Sequence, residues 1–344
     1  MRKKLKIAHI HVWDKKNKGD VAIVVAIQDL LKQYLGSIQI VDFPVEFLRE
    51  AKSLEIKKLN SCDLVVVGGG GIYYRYFMPY SVEIIKKIKK PIVIFGVGYI
   101  REVGARALTK TEKESIVFLN KKAELCSVRD NYSKEFLVSG GVDKKKIKVI
   151  GDPAVFLQEK KTKKIKLDNH IKIGLNLNYS GWRGFGKYKK EILESYERVA
   201  EYFQKKYKAK VYYLQHHPSE KVILKKLKVA DIIKVDLSPY QQKYIYSQMD
   251  LIIGMMLHSC VLAFGAGTPE INVVYDVRNK NFAKFIKCPE LTVNLDGLKQ
   301  GELLKKSIEV FNKKKFYQEK FVSTKEKIWQ KHEDFLNQIN NLIK

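Results

Sequence analysis

Residues 62–74 read CDLVVVGGGGIYY. Leu64, Val65, Val66 and Val67 form a short unbroken apolar run, the pattern of a parallel strand covered on both faces. Gly68, Gly69, Gly70 and Gly71 follow. Without a Cβ they let the backbone turn sharply and pass close to a ligand. Open α/β sheets bind their ligands just beyond the carboxyl ends of the strands. The stretch therefore predicts a ligand-facing loop at the end of a central strand. It is not a dinucleotide fingerprint, because no G-x-G-x-x-G spacing opens a helix here.

Working outward, strands and helices alternate. Residues 6–12 (KIAHIHV) alternate as a strand and put His9 and His11 on one side. Two histidines without a carboxylate partner make a weak metal site, and no metal is expected. Asn17-Lys18-Gly19-Asp20 leads into helical spacing over 21–35. Asn17 and Asp20 are candidate caps there, and exposed amides at a helix start suit an anion. Further strands are expected at 37–42, 91–95 (PIVIF), 124–128 and 148–150. Helices are expected at 44–59, 84–90, 111–122 and 131–138, with a Thr111–Glu114 capping box and with Asp130 as a cap. Gly96-x-Gly98 closes PIVIF, a second glycine-bearing strand end facing the same crevice. Arg129 sits at a strand-to-helix corner, either in a structural ion pair or as a fixed guanidinium gripping carboxylate or phosphate.

The charged, unpatterned stretch 160–169 reads as a linker, after which the alternation restarts at 171–177. In the loop 178–187, Trp182 beside Arg183 suits either stacking on a sugar or base, or a surface lid. Helices are expected at 189–207, 220–228 and 239–248, and strands at 210–215, 232–235, 250–254 and 271–275. His216 and His217 stand at a strand end. Met255-Met256-Leu257-His258 follows the buried run DLIIG, and a helix of small and apolar residues begins there. His258 in that first turn lies where the first half places its ligand loops. The fold class is α/β: two Rossmann-like lobes facing a cleft, GT-B-like. The expected divisions are 1–158, the acceptor side, and 170–316, the donor side. The tail 317–344 is expected as one or two amphipathic helices packing back across both.

The chain of 344 residues carries a formal net charge of +28, mostly from lysines spread along it. Three partners compete for that charge: nucleic acid, an anionic membrane surface or lipid-linked phosphate, and plain solvent. No nucleic-acid motif accompanies it, so no nucleic-acid partner is expected. No apolar run approaches the roughly 18 residues of a spanning helix, and the N-terminus reads as a strand rather than a leader. Cys62, Cys126, Cys260 and Cys288 are far apart and form no C-x-x-C pair. Buried free thiols in a reducing compartment follow, hence the cytoplasm.

Taken in order, a set of short motifs is similar to the polysaccharide pyruvyl transferase family. They are Asn17-x-Gly19-Asp20-x-Ala22-Ile23, Gly68 to Ile72, Gly96-x-Gly98, Ser127-x-Arg129-Asp130, Gly151-Asp152-Pro153-Ala154, Leu257-His258, Gly267-Thr268-Pro269 and Tyr275-Asp276-x-Arg278. The resemblance implies transfer of pyruvate from phosphoenolpyruvate to a sugar, usually as a ketal bridging two hydroxyls, without a cofactor. It makes His258, Arg129 and Asp20 the candidate catalytic residues. His258 would transfer protons or bind phosphate, Arg129 would grip an anionic group, and Asp20 would activate the acceptor hydroxyl. Asn17, Gly19, Gly69, Gly70, Gly71, Gly98, Leu257 and Arg278 are the candidate substrate-binding residues. The chain departs from the family in one place: Met256 stands before Leu257-His258 where the family commonly has arginine, while Arg278 keeps a charge where it often has lysine. The partners implied are phosphoenolpyruvate and a saccharide acceptor, with peripheral contact at an anionic membrane if that acceptor is lipid-linked. A GT-B glycosyltransferase using a nucleotide sugar and a non-catalytic binder of anionic glycan are the alternatives.

Overall fold

The structure, a computed structural model, describes residues 4–101, 105–178, 186–227, 229–233 and 236–344. The first half runs β1 (Leu5–His11), α1 (Lys18–Leu35), β2 (Ile38–Pro44), α2 (Phe47–Glu50), α3 (Ser53–Asn60), β3 (Leu64–Gly68) and β4 (Tyr73–Tyr74). It continues through α4 (Val82–Lys87), β5 (Ile92–Val97), β6 (Tyr99–Ile100), α5 (Lys110–Lys122), β7 (Leu125–Val128), α6 (Asn131–Ser139) and β8 (Ile147–Val149). Six of these strands make a parallel sheet in the order β2-β1-β3-β5-β7-β8. The glycine-flanked valine run is its central strand, and all five residues of β3 are buried.

The second half runs β9 (Lys172–Asn176), α7 (Lys189–Tyr207), β10 (Lys210–Leu214), α8 (Lys221–Leu224), β11 (Asp231–Ile233), α9 (Pro239–Ser247) and β12 (Leu251–Gly254). It ends with α10 (Leu257–Ala266), β13 (Glu270–Val274), α11 (Val277–Phe285), β14 (Thr292–Asn294), α12 (Glu302–Asn312) and α13 (Lys314–Leu342). Its parallel sheet has the order β11-β10-β9-β12-β13-β14. Both halves are thus Rossmann-like, with neighbouring strands joined by crossover helices.

The period of two along β3 divides the cores. Leu64 and Val66 face the side covered by α1 and α13, a core continuous with that of the second lobe. Val65 and Val67 face the other side, over Ile56, Ile85 and Ile116. Helix α13 straps the lobes together. Near its start Lys314 pairs with Asp250 of the second lobe at 2.8 Å, and near its end Glu333 accepts from the Tyr34 hydroxyl of α1 at 2.9 Å. Lys243 on α9 is buried and donates to the carbonyls of Val155 and Leu157 at 2.7 and 2.6 Å, which fixes the chain as it leaves the first lobe.

Local sequence reasons fall short in three places, one of them the helix expected over 220–228, which is only the short α8 (Lys221–Leu224). The helix expected over 44–59 is two short helices, α2 and α3, because the chain is extended at Ala51 and Lys52. The capping box of α5 is Thr109 with Glu112, not Thr111 with Glu114; Glu112 is also clamped by both terminal nitrogens of Arg106. The tail is one unbroken helix. All four cysteines are free and buried. Among the described residues no helix is long and apolar enough to cross a membrane.

Candidate active site

Strand order creates the site. In the first sheet the chain steps from β1 to one side for β2 and to the other for β3; in the second it does the same around β9. At such a reversal the flanking loops diverge and leave a crevice beyond the strand ends. The loops there are 12–17 and 69–72 in the first lobe, and 177–178 and 255–256 in the second. A cleft of about 630 Å³ lies between them. One backbone hydrogen bond ties the two lobes beside it: the Lys18 N–H, at the start of α1, donates to the His216 carbonyl at 3.1 Å.

The two walls differ in chemistry. The first lobe presents Trp13, Tyr74, Tyr76 and Phe77 together with the carboxylates Asp14, Asp20 and Glu46. The second presents His216, His258 and Arg278. Asn17 caps α1, accepting from the Gly19 N–H at 3.1 Å, and its Nδ2 donates to Asp20 Oδ2 at 2.8 Å. Asp20 is therefore held in the first turn of α1 rather than serving as its cap. Burial, reinforced by Asp14, raises its pKa to about 6 against the pull of Arg278 and Arg129. Across the cleft, Asp276 caps α11 and takes the Arg278 Nε–H at 2.6 Å, which sets the direction of that guanidinium. Met256, in place of a cation, lines the same cleft as Arg278.

His258 lies in the first turn of α10, with Met256 as the N-cap residue. Its Nε2 is 3.8 Å from Asp152 Oδ2, an oxygen that also lies 3.9 Å from Arg129 Nη1. Arg129 pairs further with Asp130 at 3.5 Å. Arg129, Asp130 and Asp152 are buried, and Arg129 Nε and Nη2, Asp152 Oδ2 and His258 Nε2 hydrogen-bond to nothing among the described residues. Burial first, then Arg129, His216 and Arg278, hold the His258 pKa well below the usual imidazole value. The ring is neutral near pH 7. Asp152 is pushed up by burial and pulled back by Arg129.

Two of the predicted glycines are explained by these side chains. A Cβ on Gly19 would overlap His258 Nδ1, and one on Gly98 would overlap the Arg129 guanidinium. They line no part of the cleft. Gly69 and Gly70, at φ +91° and +86°, turn the backbone and pack on Val24 and Val12; of the predicted glycines, Gly71 is the one on the cleft wall. Leu257, Asn17, Asp20, His258 and Arg278 line it as well. Arg129 does not: it borders a small cavity of about 10 Å³ that shares Leu257 and Arg278 with the cleft wall, too small for more than a water. It keeps its ion pairs with Asp130 and Asp152, while Nε and Nη2 have no hydrogen-bond partner among the described residues. Trp182 and Arg183 lie outside the described residues. Sequence reasoning missed Asp152, although the Gly-Asp-Pro-Ala run was visible, and the aromatic wall, although Tyr73 to Phe77 follow the glycines directly.

A family model described as polysaccharide pyruvyl transferase matches residues 17–277. No curated protein matches the sequence. Among solved structures, the UDP complex of MnaA from S. aureus is 13% identical, with a TM-score of 0.60 over 92% of this chain and 90% of that one. A putative UDP-N-acetylglucosamine 2-epimerase from Listeria monocytogenes is 14% identical, with a TM-score of 0.59 over 93% and 91%. HepE from Anabaena, in complex with UDP, is 11% identical, with a TM-score of 0.56 over 98% and 100%. At these identities the likeness establishes the two-lobed, GT-B-like fold and nothing finer.

Proposed function

This chain belongs to the polysaccharide pyruvyl transferase family, and from that premise we propose that it moves pyruvate from phosphoenolpyruvate onto a sugar of a surface polysaccharide or its lipid-linked precursor, as a ketal. The observation that carries the reading is the division of the cleft: carboxylates and most of the aromatic rings on the first lobe, and on the second two neutral imidazoles with the Arg278 guanidinium and Tyr275. Aromatic faces pack against the apolar faces of sugars and carboxylates accept from hydroxyls, so the first wall suits the acceptor. A donor with a carboxylate and a phosphate needs fixed cations and amides. Arg278 and the amino end of α10 supply them.

In the reaction a sugar oxygen bonds to the carbon bearing the phosphate ester, and the methylene carbon gains a proton. The second hydroxyl then displaces phosphate and closes the ketal. One proton leaves each hydroxyl: one reaches the methylene carbon and the other departs with the released phosphate. Asp20, titrating near 6, is suited to take the hydroxyl proton. His258 begins neutral; a dianionic donor beside it favours its protonated form, so that it can deliver a proton. Arg129 acts from behind, through Asp152, as a positioning residue.

Incubation with phosphoenolpyruvate and a panel of sugars tests this. Phosphate release with a pyruvate-ketal product by mass is expected. Release of UDP from a nucleotide sugar, with phosphoenolpyruvate untouched, would replace the reading with a glycosyl transfer. Peripheral membrane contact is a separate proposal resting on the +28 charge; co-sedimentation with anionic vesicles that fades in salt is its expected sign, and equal sedimentation without vesicles removes it.

A further inference from the structure

The sequence offered His9 and His11 without a carboxylate; the fold supplies one. Strand β2 pairs with β1 in a register that sets Asp42 directly beside His9. A ligand atom from each of His9, His11 and Asp42 lies within 4.8 Å of the others. Ligands on a tetrahedral zinc stand roughly 3.3 Å apart, given bond lengths of about 2.0 Å, so small side-chain adjustments would close the set.

The hydrogen bonds give a second and independent reason. His11 Nδ1 lies 2.8 Å from the Val12 carbonyl, which can only accept, so the proton of a neutral ring sits on Nδ1. His11 Nε2 then aims a lone pair at Asp42 Oδ1, 3.0 Å away and also an acceptor. His9 repeats the pattern: Nε2 lies 3.0 Å from the Gly68 carbonyl, which leaves Nδ1 an acceptor, facing the Gln28 amide that donates to it at 3.3 Å. The Gln28 amide bridges to the same Asp42 oxygen at 2.7 Å. Each imidazole thus has one nitrogen held by a backbone carbonyl and the other turned inward. That is the outer-shell arrangement that fixes metal-ligating histidines. His9 and His11 are buried, while Asp42 and Gln28 border an open cleft of about 380 Å³ that gives a cation its way in.

We propose that His9, His11 and Asp42 bind a divalent transition metal of the zinc class, with a water or the Gln28 amide in the fourth position. The donor set of two imidazoles and a carboxylate selects such an ion over magnesium or calcium. Its role is to brace the first-lobe wall of the candidate active site. Trp13 stacks on His11 at 5.3 Å and lines both this cleft and the larger one. The Gly68 carbonyl held by His9 begins the glycine loop. The metal would therefore hold both loops at the β1–β3 reversal.

The test uses the full chain, stripped with chelator and dialysed against Zn²⁺ in excess Mg²⁺, with metal content measured by elemental analysis. One Zn²⁺ per chain and a raised melting temperature are expected, both lost in His9→Gln/His11→Gln. Asp42→Asn, at a half-exposed position, tests the site if the double variant does not fold, and should weaken uptake at least tenfold. Visible absorption of Co²⁺ bound to the unaltered protein reports nitrogen ligation without any substitution. No uptake by the wild type, or equal uptake by the variants, would overturn the proposal and leave a hydrogen-bonded His11–Asp42 pair. Metal content is read independently of pyruvyl transfer, so failure of the one does not mimic failure of the other.

Discussion

The two ends of the cleft are built from the same device and put to different use. In each lobe a sheet reverses its strand order and leaves two loops at the reversal. In the first lobe those loops are rich in glycine and aromatic residues, with Asn17 and Asp20 at the mouth of α1. In the second they carry a neutral, half-buried histidine and an arginine steered by Asp276. On the function proposed above, equivalent topology takes opposite tasks: contact surface and proton acceptors on one side, anion capture and proton delivery on the other. The sides meet at Asp152, a first-lobe residue within 4 Å of both Arg129 and His258.

The most severe way to break this division is Arg129→Ala. It leaves Asp130 and Asp152 buried without their cation, a loss of about 3–5 kcal/mol. Chemical denaturation should show it directly, and turnover should fall with it. A variant as stable as the wild type would mean that the buried ion pairs are idle. His258→Gln separates chemistry from folding: turnover should drop by about two to four orders of magnitude with the melting temperature little changed. Near-normal phosphate release would remove His258 from the reaction.

Gly19→Ala asks whether the lobes cooperate, because its methyl group belongs to the first lobe and its victim to the second. Displacing His258 by about 1 Å should cost on the order of a hundredfold in kcat, with far less effect on donor binding. Asp20→Asn sharpens the acid–base assignment. The folded pKa of Asp20, about 6, exceeds the unfolded value of 3.8. The folded state therefore holds that proton more tightly, and ionised Asp20 costs stability above pH 6. The variant should melt higher than the wild type at pH 7.5, with the gain fading as pH falls from 6 toward 4, and its rate profile should lose the limb near 6. The smallest effect is expected from Tyr76→Ala, on the exposed aromatic rim. Losing roughly 1 kcal/mol of contact should raise the acceptor KM about fivefold and leave the donor KM unchanged.

Much of the fold was legible because its signals are local. The unbroken apolar run of β3 announced a buried parallel strand, Asn17 and Asp130 announced helix starts, and His258 fell in a first turn after a strand, as its neighbours implied. The misreadings were local too. Ala51 and Lys52 are extended within a stretch whose apolar spacing suited one helix, and a threonine two residues early competed successfully for the cap of α5.

What the chain by itself determined is therefore the order of strands, helices and ligand loops, since hydrophobic period and capping chemistry act over a few residues. What only the tertiary structure decided is which distant side chains share a space. Gly19 is glycine because His258, far along the chain, occupies the position of its Cβ. Arg129 borders a small cavity beside Leu257 instead of lining the cleft. His9 and His11 gained the carboxylate of Asp42 through a strand register. Each outcome depends on how sheets order their strands and how lobes close, and that is set by the packing of the whole molecule.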